Sequence, residues 1–386
     1  MWLAPGSAKE ERVRLKIVML SRHGCFRCMK EAIPLINAGH EVHFIVEKFT
    51  QYAEEFATVS LYADQDQLYN AIRLHKDADI FHAHNEPSWF VTVVKDTGVK
   101  APVILDMHDS NLIRKTPEEQ VTEMEHNESA VRISVDERNN AQLADGLVFP
   151  CEPMKAAVEA EFGTTCPSIV LPSLLPKAFF RFDFDHWLGG LVYEGRIDTN
   201  EELNHQPQWK SLFQYSNYLD FARKAREIGI PFHIYTPREN EKVRAEYGEV
   251  CFLHQPKPIP KLIKALARHE WGLVGNLQAH TEWKNALPNK LFEYMAGCTP
   301  VVAMHADESA KVLKEYGVGI VVDSVEELRD RWDEHRACRE NIVKYRYEFA
   351  MEKHIGKLEA LYRQVIEAKR PMAAVSVLRD AKATSS

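Results

Sequence analysis

The chain has 386 residues, too many for one ordinary core, so two domains are expected. A hydrophobic content of 45% and a charged content of 27% are those of a globular protein. With 48 basic against 56 acidic residues, a formal net charge of −8, there is no strong nucleic-acid footprint, and no apolar run reaches the ~18 residues of a membrane span.

Residues 1–13 read as a flexible tail without the apolar centre of a secretion signal. Arg12, Arg14 and Lys16 make a weakly basic patch suited to peripheral membrane or polyanion contact. The seven cysteines, odd in number and scattered, fit reduced thiols and a cytoplasmic location better than a disulfide framework. Residues 15–20 form a compact apolar run, hence a strand, ending in a loop that contains Gly24. Without a side chain, Gly24 would let the backbone approach a phosphate or an acceptor, although a plain tight turn explains it equally well. A helix over 26–38 and a strand over 42–46 follow, a βαβ opening of right-handed connection. Strands at 80–84, 103–106, 145–149 and 168–171 complete five or six, and residues 14–180 are expected to form a doubly wound α/β domain.

The join at 176–186 is aromatic-rich, which predicts a short hinge and a cleft between domains. Alternation then restarts, with strands at 191–193, 232–235, 250–253, 271–274, 299–303 and 319–322 and a helix over 218–228. A second α/β domain is therefore expected over 186–345. Residues 199–214 are polar, lack helical periodicity and read as a long functional loop. An amphipathic helix over 346–370 is expected to pack back on the first domain, with 371–386 as a tail.

The most informative stretch is Asn285-Ala-Leu-Pro-Asn-Lys-Leu-Phe-Glu-Tyr-Met-Ala-Gly297, followed by Pro300-Val-Val-Ala303. Pro288 suits the first turn of a helix, Leu291, Tyr294 and Met295 share one apolar face, and Gly297 ends it. The N-terminus of such a helix attracts phosphate through its N–H groups and dipole. Glu293, one turn further along, can accept two hydrogen bonds from a ribose diol. An ordinary helix on a parallel sheet is the plainer reading of the same residues.

With Gly317-Val-Gly-Ile-Val-Val322, Tyr193-Glu-Gly-Arg196, Asp79-Ile-Phe-His-Ala-His84 and Asp145-Gly-Leu-Val-Phe149, this stretch resembles the GT-B glycosyltransferases, most closely the retaining, nucleotide-sugar-dependent family 4. The resemblance spans residues 15–365. It implies two Rossmann-like domains facing a cleft, with the acceptor on the first and the nucleotide-sugar on the second. It implies that Glu293 grips the ribose, and that Arg196 neutralises the leaving diphosphate. It also implies that His108 lies against the transferred sugar. The first of the family's two paired glutamates is here Asn285, which can hydrogen-bond a sugar hydroxyl but supplies no charge. The usual lysine after the arginine has no clear counterpart. Lys210 is a distant candidate and Lys290, at the helix start, is the substitute. Leu287, Pro288, Asn289 and Lys290 then offer N–H groups and a cation to the β-phosphate, where charge develops on departure.

Other signals carry less. His82 and His84 sit at a strand end, where doubly wound sheets bind ligands, and His84 is expected to face the cleft. Asp109 and Glu86 are within reach of an acceptor hydroxyl. Cys25 and Cys28 form a C-x-x-C, read as a free pair in the cleft because no second pair completes a zinc site. Asp64-Gln-Asp66 and Asp183-Phe-Asp185 match the D-x-D pattern of metal-dependent glycosyltransferases, but neither follows a buried strand. Gly317-Val-Gly319 lacks the context of a dinucleotide fingerprint, and there is no P-loop. The acidic run from Glu118 to Glu128 reads as a solvated helix face.

The expectation is sugar transfer from a UDP- or GDP-sugar, with retention, no metal and no cofactor beyond the nucleotide-sugar co-substrate. The acceptor is open among a glycan, a lipid carrier, a small metabolite and a modified nucleobase. A nucleotide-sugar 2-epimerase on the same fold and a non-catalytic nucleotide-sugar-binding protein are the alternatives.

Overall fold

The computed structural model describes residues 14–24, 26–48, 53–84, 89–181, 187–205 and 214–370. Two parallel sheets organise them. In the first, seven strands run in the order β3-β2-β1-β4-β5-β6-β7, namely β1 Lys16–Ser21, β2 Glu41–Val46, β3 Thr58–Leu61, β4 Ile80–His84, β5 Val103–Asp106, β6 Gly146–Phe149 and β7 Ser168–Val170. The second has six in the order β10-β9-β8-β11-β12-β13, namely β8 Leu191–Glu194, β9 Phe232–Tyr235, β10 Phe252–His254, β11 Trp271–Gly275, β12 Val301–Met304 and β13 Gly319–Val321. Helices cover both faces, so central strands such as Ile17–Leu20 are apolar without alternation and fully buried. The strand order reverses between β1 and β4 and again between β8 and β11. At such switch points the loops diverge and leave a crevice.

Strand β3 was not foreseen: it is an edge strand with the burial of a half-exposed ribbon, and its four residues Thr-Val-Ser-Leu carry no apolar run. Within the expected loop at 199–214, Asn200–His205 is a short helix, tied by Thr199 and Glu202 to its own N-terminus. Polar side chains capping their own backbone hide such a turn from a periodicity reading.

The helix Met351–Lys369 returns to the first sheet. Glu359 reaches His40 at 2.8 Å, the Tyr362 hydroxyl reaches His82 Nδ1 at 2.6 Å, and Ala350 bridges to Leu175. One apolar core runs from a face of the first sheet through this helix into the second sheet; the other face of the first sheet has its own core, and Leu287 packs against both. Among the described residues no helix is long and apolar enough to cross a membrane.

Candidate functional site

A cleft of about 570 Å³ opens between the C-terminal ends of the two sheets. From the first domain it is lined by Ser21 and His23 after β1, Phe26 and Arg27 at the start of the Phe26–Asn37 helix, and His108 and Asp109 after β5. From the second it is lined by Glu194 at the end of β8, by Gly195 after it and by the segment from Ala286 to Lys290 with Glu293. The expected residues Leu287, Pro288, Asn289, Lys290, Glu293 and His108 are thus brought together.

The helix Asn289–Ala296 begins here, with Pro288 in the capping position at φ −72°. Its apolar face, Leu291, Tyr294 and Met295, is buried, and the Tyr294 hydroxyl accepts the Glu194 N–H at 3.2 Å, linking the helix to β8. Gly297 closes the helix as expected, at φ −85°, outside the left-handed region. Space selects glycine there: a Cβ would lie 3.0 Å from the Ile263 carbonyl oxygen.

Lys290 is the cleft cation next to the helix N-terminus; Arg27 and Arg114 also line the cleft. The Lys290 ammonium lies 5.0 Å from the Tyr193 ring centroid and 4.9 Å from that of Trp283. Burial opposes its charge, but Tyr193, Glu194, Glu293 and Glu282 outweigh this and hold its pKa above the ordinary lysine value. Gly195 makes room for it. At φ +131° few side chains are tolerated, and a Cβ would sit 3.5 Å from Lys290 Nζ and 3.1 Å from the Tyr193 hydroxyl. Glu194, beside Glu293, is pushed up to about 8, first by burial and then by the neighbouring carboxylate.

Glu293 is 3% exposed and meets Lys30 of the first domain at 3.5 Å. The Lys30 ammonium also donates to the Ser173 carbonyl and hydroxyl, both at 3.1 Å, and to Asn289 Oδ1 at 3.0 Å. Neither Lys30 nor Glu194 was singled out from sequence. Their signals were present: Arg27, Lys30 and Glu31 form a charged i, i+3, i+4 set on an otherwise apolar helix. Glu194 lies inside the Tyr193-to-Arg196 segment.

His108 is held through Nδ1 by Asp106 at 3.2 Å, and Asp106 in turn by the Arg27 guanidinium at 2.8 and 2.9 Å. Arg27 offsets the burial of Asp106, and the Asp106 carboxyl stays well below the usual carboxylate range. Further bridges cross the cleft: Arg114 to Glu282 at 2.7 Å, and Cys151 Sγ to the Asn285 carbonyl at 3.3 Å.

Several expected residues lie elsewhere. The Arg196 guanidinium turns onto Asp198, at 3.0 and 3.1 Å through Nε and 2.9 Å through Nη2, while only its neighbour Gly195 lines the cleft. Asp198 is almost fully buried and also takes Arg238, so it is the stronger claim on this cation. The Asn285 carboxamide points across the domain boundary to the Ile113 carbonyl at 3.3 Å, outside the cleft lining. Gly24 lies between lining residues His23 and Phe26 without lining the cleft itself. His84 does not face the cleft: it is fully buried beneath His108, with ring centroids 6.0 Å apart. Cys28 is likewise in the core and not in the cleft, because its helix buries nearly every residue from Arg27 to Leu35. Asp64 caps the Gln65–Leu74 helix by accepting the Gln67 N–H at 2.8 Å, a role that explains the first D-x-D. Cys25, Glu86, Asp183, Asp185 and Lys210 lie outside the described residues.

Residues 190–348 match the family model described as the Glucosyltransferase 3-like, C-terminal domain. Glucosyltransferase 3 of Streptococcus gordonii is 25% identical over 187 residues, covering 48% of this chain and 49% of that protein, so the chain spans about half the length of the curated relative it matches. Among solved structures, sucrose-phosphate synthase from Thermosynechococcus elongatus is similar at a TM-score of 0.62 and 13% identity, covering 92% of this chain and all of that one (100%). HepE of Anabaena in complex with UDP-glucose is similar at a TM-score of 0.61 and 11% identity, covering 92% and 99%. The fold is the GT-B fold, two parallel-sheet α/β domains across a cleft.

Proposed function

We propose that this chain is a glycosyltransferase that moves a hexosyl group from a UDP-sugar to an acceptor bound over the first domain. The observation that carries the reading is the cleft itself. A helix N-terminus, the Lys290 cation and the Glu293 carboxylate lie on one wall, and the Asp106-anchored His108 on the other. A ribose diol fits Glu293, and a diphosphate fits the N–H groups of Asn289 and Lys290 together with the Lys290 ammonium. As the bond between the anomeric carbon and the β-phosphate oxygen breaks, negative charge grows on that oxygen. Preorganised charge in a water-poor cleft stabilises it most strongly. Lys290 takes the part first assigned to Arg196, and no metal is required at the phosphates. With Nδ1 anchored on Asp106, Nε2 of His108, 4.0 Å from Asp109 Oδ2, is the nitrogen assigned to a hydroxyl of the transferred sugar. Retention follows the family 4 resemblance. Uracil is favoured over guanine because a similar structure was solved with UDP-glucose, and glucose because the second domain matches the Glucosyltransferase 3-like model. The six described cysteines are all free, which supports a cytoplasmic setting.

A second reading, binding without transfer, is favoured by Arg196 and Asn285, both engaged outside the cleft. One experiment separates them. UDP, GDP, UDP-glucose and GDP-mannose are tested for a thermal shift. The responding donor is then incubated with glycan, lipid-carrier, metabolite and nucleobase acceptors and followed by mass spectrometry. Transfer, with the shift abolished in Glu293→Ala, supports the enzyme. A shift without product on any acceptor supports the binding protein, release of an epimerised sugar from donor alone the epimerase. No shift with any nucleotide, or a shift unchanged in Glu293→Ala, refutes the site.

A further inference from the structure

Behind His108, the first domain buries a set of four groups, of which the proposed transfer uses only Asp106, as the anchor of His108. Glu31 comes from the Phe26–Asn37 helix, His82 and His84 from β4, and Asp106 from the end of β5. All four are fully buried, and one ligand atom from each lies within 4.8 Å of every other. Both oxygens of Glu31, Nε2 of His82 and both ring nitrogens of His84 have no hydrogen-bond partner, a costly condition in a dry core.

We propose that Glu31, His82, His84 and Asp106 bind one divalent first-row transition-metal ion, with Zn²⁺ the best match. The donors are nitrogen and carboxylate oxygen, the set that zinc takes at about 2.0–2.2 Å in tetrahedral geometry. Such an ion needs its ligands about 3.4 Å apart, by that bond length and the tetrahedral angle. The present separations are 3.9 Å from His82 Nε2 to Asp106 and 3.9 Å from His84 Nε2 to Glu31, and all four ligand atoms lie within 4.8 Å of one another, so closure by about 0.5 Å for these pairs and up to about 1.4 Å for the widest brings them into range. His82 has its other nitrogen, Nδ1, 2.6 Å from the Tyr362 hydroxyl; with Nδ1–H donating to that oxygen, Nε2 presents its lone pair to the ion. Charge also fits. Arg27 pairs with Asp106 at 2.8 Å and with Glu31 at 3.3 Å and so offsets one of the two carboxylates, leaving the net charge of one carboxylate with two neutral imidazoles, the charge type of the two-histidine, one-glutamate zinc sites. A proton on Glu31 in place of the ion serves a single acceptor, whereas the ion engages all four groups.

The test uses the full chain, stripped with a chelator and titrated with Co²⁺ while visible absorption is followed. The expected result is one Co²⁺ per chain with the ligand-field bands of a low-coordinate site, displaced by Zn²⁺. Glu31→Gln and His84→Gln each weaken binding at least tenfold, and Tyr362→Phe does so too without touching a ligand. His254→Ala controls for the separate His233–His254 pair, whose nitrogens are 2.9 Å apart, and leaves the titration unchanged. Absence of stoichiometric uptake overturns the proposal. So does uptake that survives Glu31→Gln with unchanged spectrum, or that disappears in His254→Ala.

Discussion

Replacing Lys30 with Met tests the physical link between the domains. Lys30 is fully buried, and its ammonium makes three hydrogen bonds of 3.0–3.1 Å while facing Glu293 at 3.5 Å. Met keeps most of the volume and the contact with Phe26 but removes the charge and all three donors. Removing one partner of a buried pair costs about 3–5 kcal/mol, because the other charge stays buried and unmatched. Lys290 also acts on Glu293, so the lower end, about 3 kcal/mol, is expected. A cycle with Glu293→Gln isolates the pair. The double variant Lys30→Met/Glu293→Gln should lose less than the sum of the singles by at least about 1 kcal/mol. Urea unfolding followed by tryptophan fluorescence measures all four proteins. A Lys30→Met loss below about 1 kcal/mol, or a coupling of zero, would refute the claim that this ammonium holds the second domain's helix to the first.

Two further substitutions probe the cleft. Glu194, with its pKa raised to about 8, favours the neutral form when folded, so its contribution to stability is complete below the unfolded carboxyl pKa and is lost as pH rises through 8. Glu194→Gln should therefore gain on the wild type by on the order of 1 kcal/mol per pH unit between about pH 5 and 8, read from denaturation midpoints. A pH-independent difference contradicts the assignment. Lys290→Met should lower kcat by about 10²-fold or more while UDP still binds, since its charge is spent on the departing phosphate. An effect confined to KM would assign Lys290 to ground-state binding alone.

Where buried apolar residues cluster, as in Ile17–Leu20 and Val301–Met304, the fold was legible, and among the described residues twelve of the thirteen strands fell where such clusters were read. The edge strand Thr58–Leu61 did not, because half its surface faces solvent. The Asn289–Ala296 helix was readable from Pro288, its apolar face and Gly297, although the glycine serves close packing and not a left-handed turn. The site was legible on one wall only. Pairing decided the rest. Arg196 follows the strand at the expected place, but Asp198, two residues on and nearly fully buried, captures it. No local pattern reveals that a cation on one segment will be claimed by its own neighbour. His84 failed for a related reason. Strand ends do bind ligands, yet this one is roofed by the Phe26–Asn37 helix, which sequence places 50 residues away.

That helix explains why charged residues sit where a doubly wound domain normally packs aliphatic ones. Arg27 holds Asp106, which holds His108, on the acceptor wall. One turn later Lys30 holds Asn289 and Glu293 on the nucleotide wall. Glu31, next in the chain, points instead under the sheet to His82 and His84. A single rigid element therefore fixes both walls of the cleft relative to each other. Its charges are desolvated, and each removed partner leaves a buried group unmatched, which raises the cost of any geometry in which the walls separate. If a donor enters by opening the cleft, the Lys30 contacts with Asn289 and Glu293 must break, while the Arg27–Asp106–His108 chain, entirely within the first domain, can persist. A ligand can replace what Lys30 supplies only by donating to Glu293 and to Asn289 Oδ1, as a ribose diol does, and such a ligand would couple its own binding to the movement of the domains.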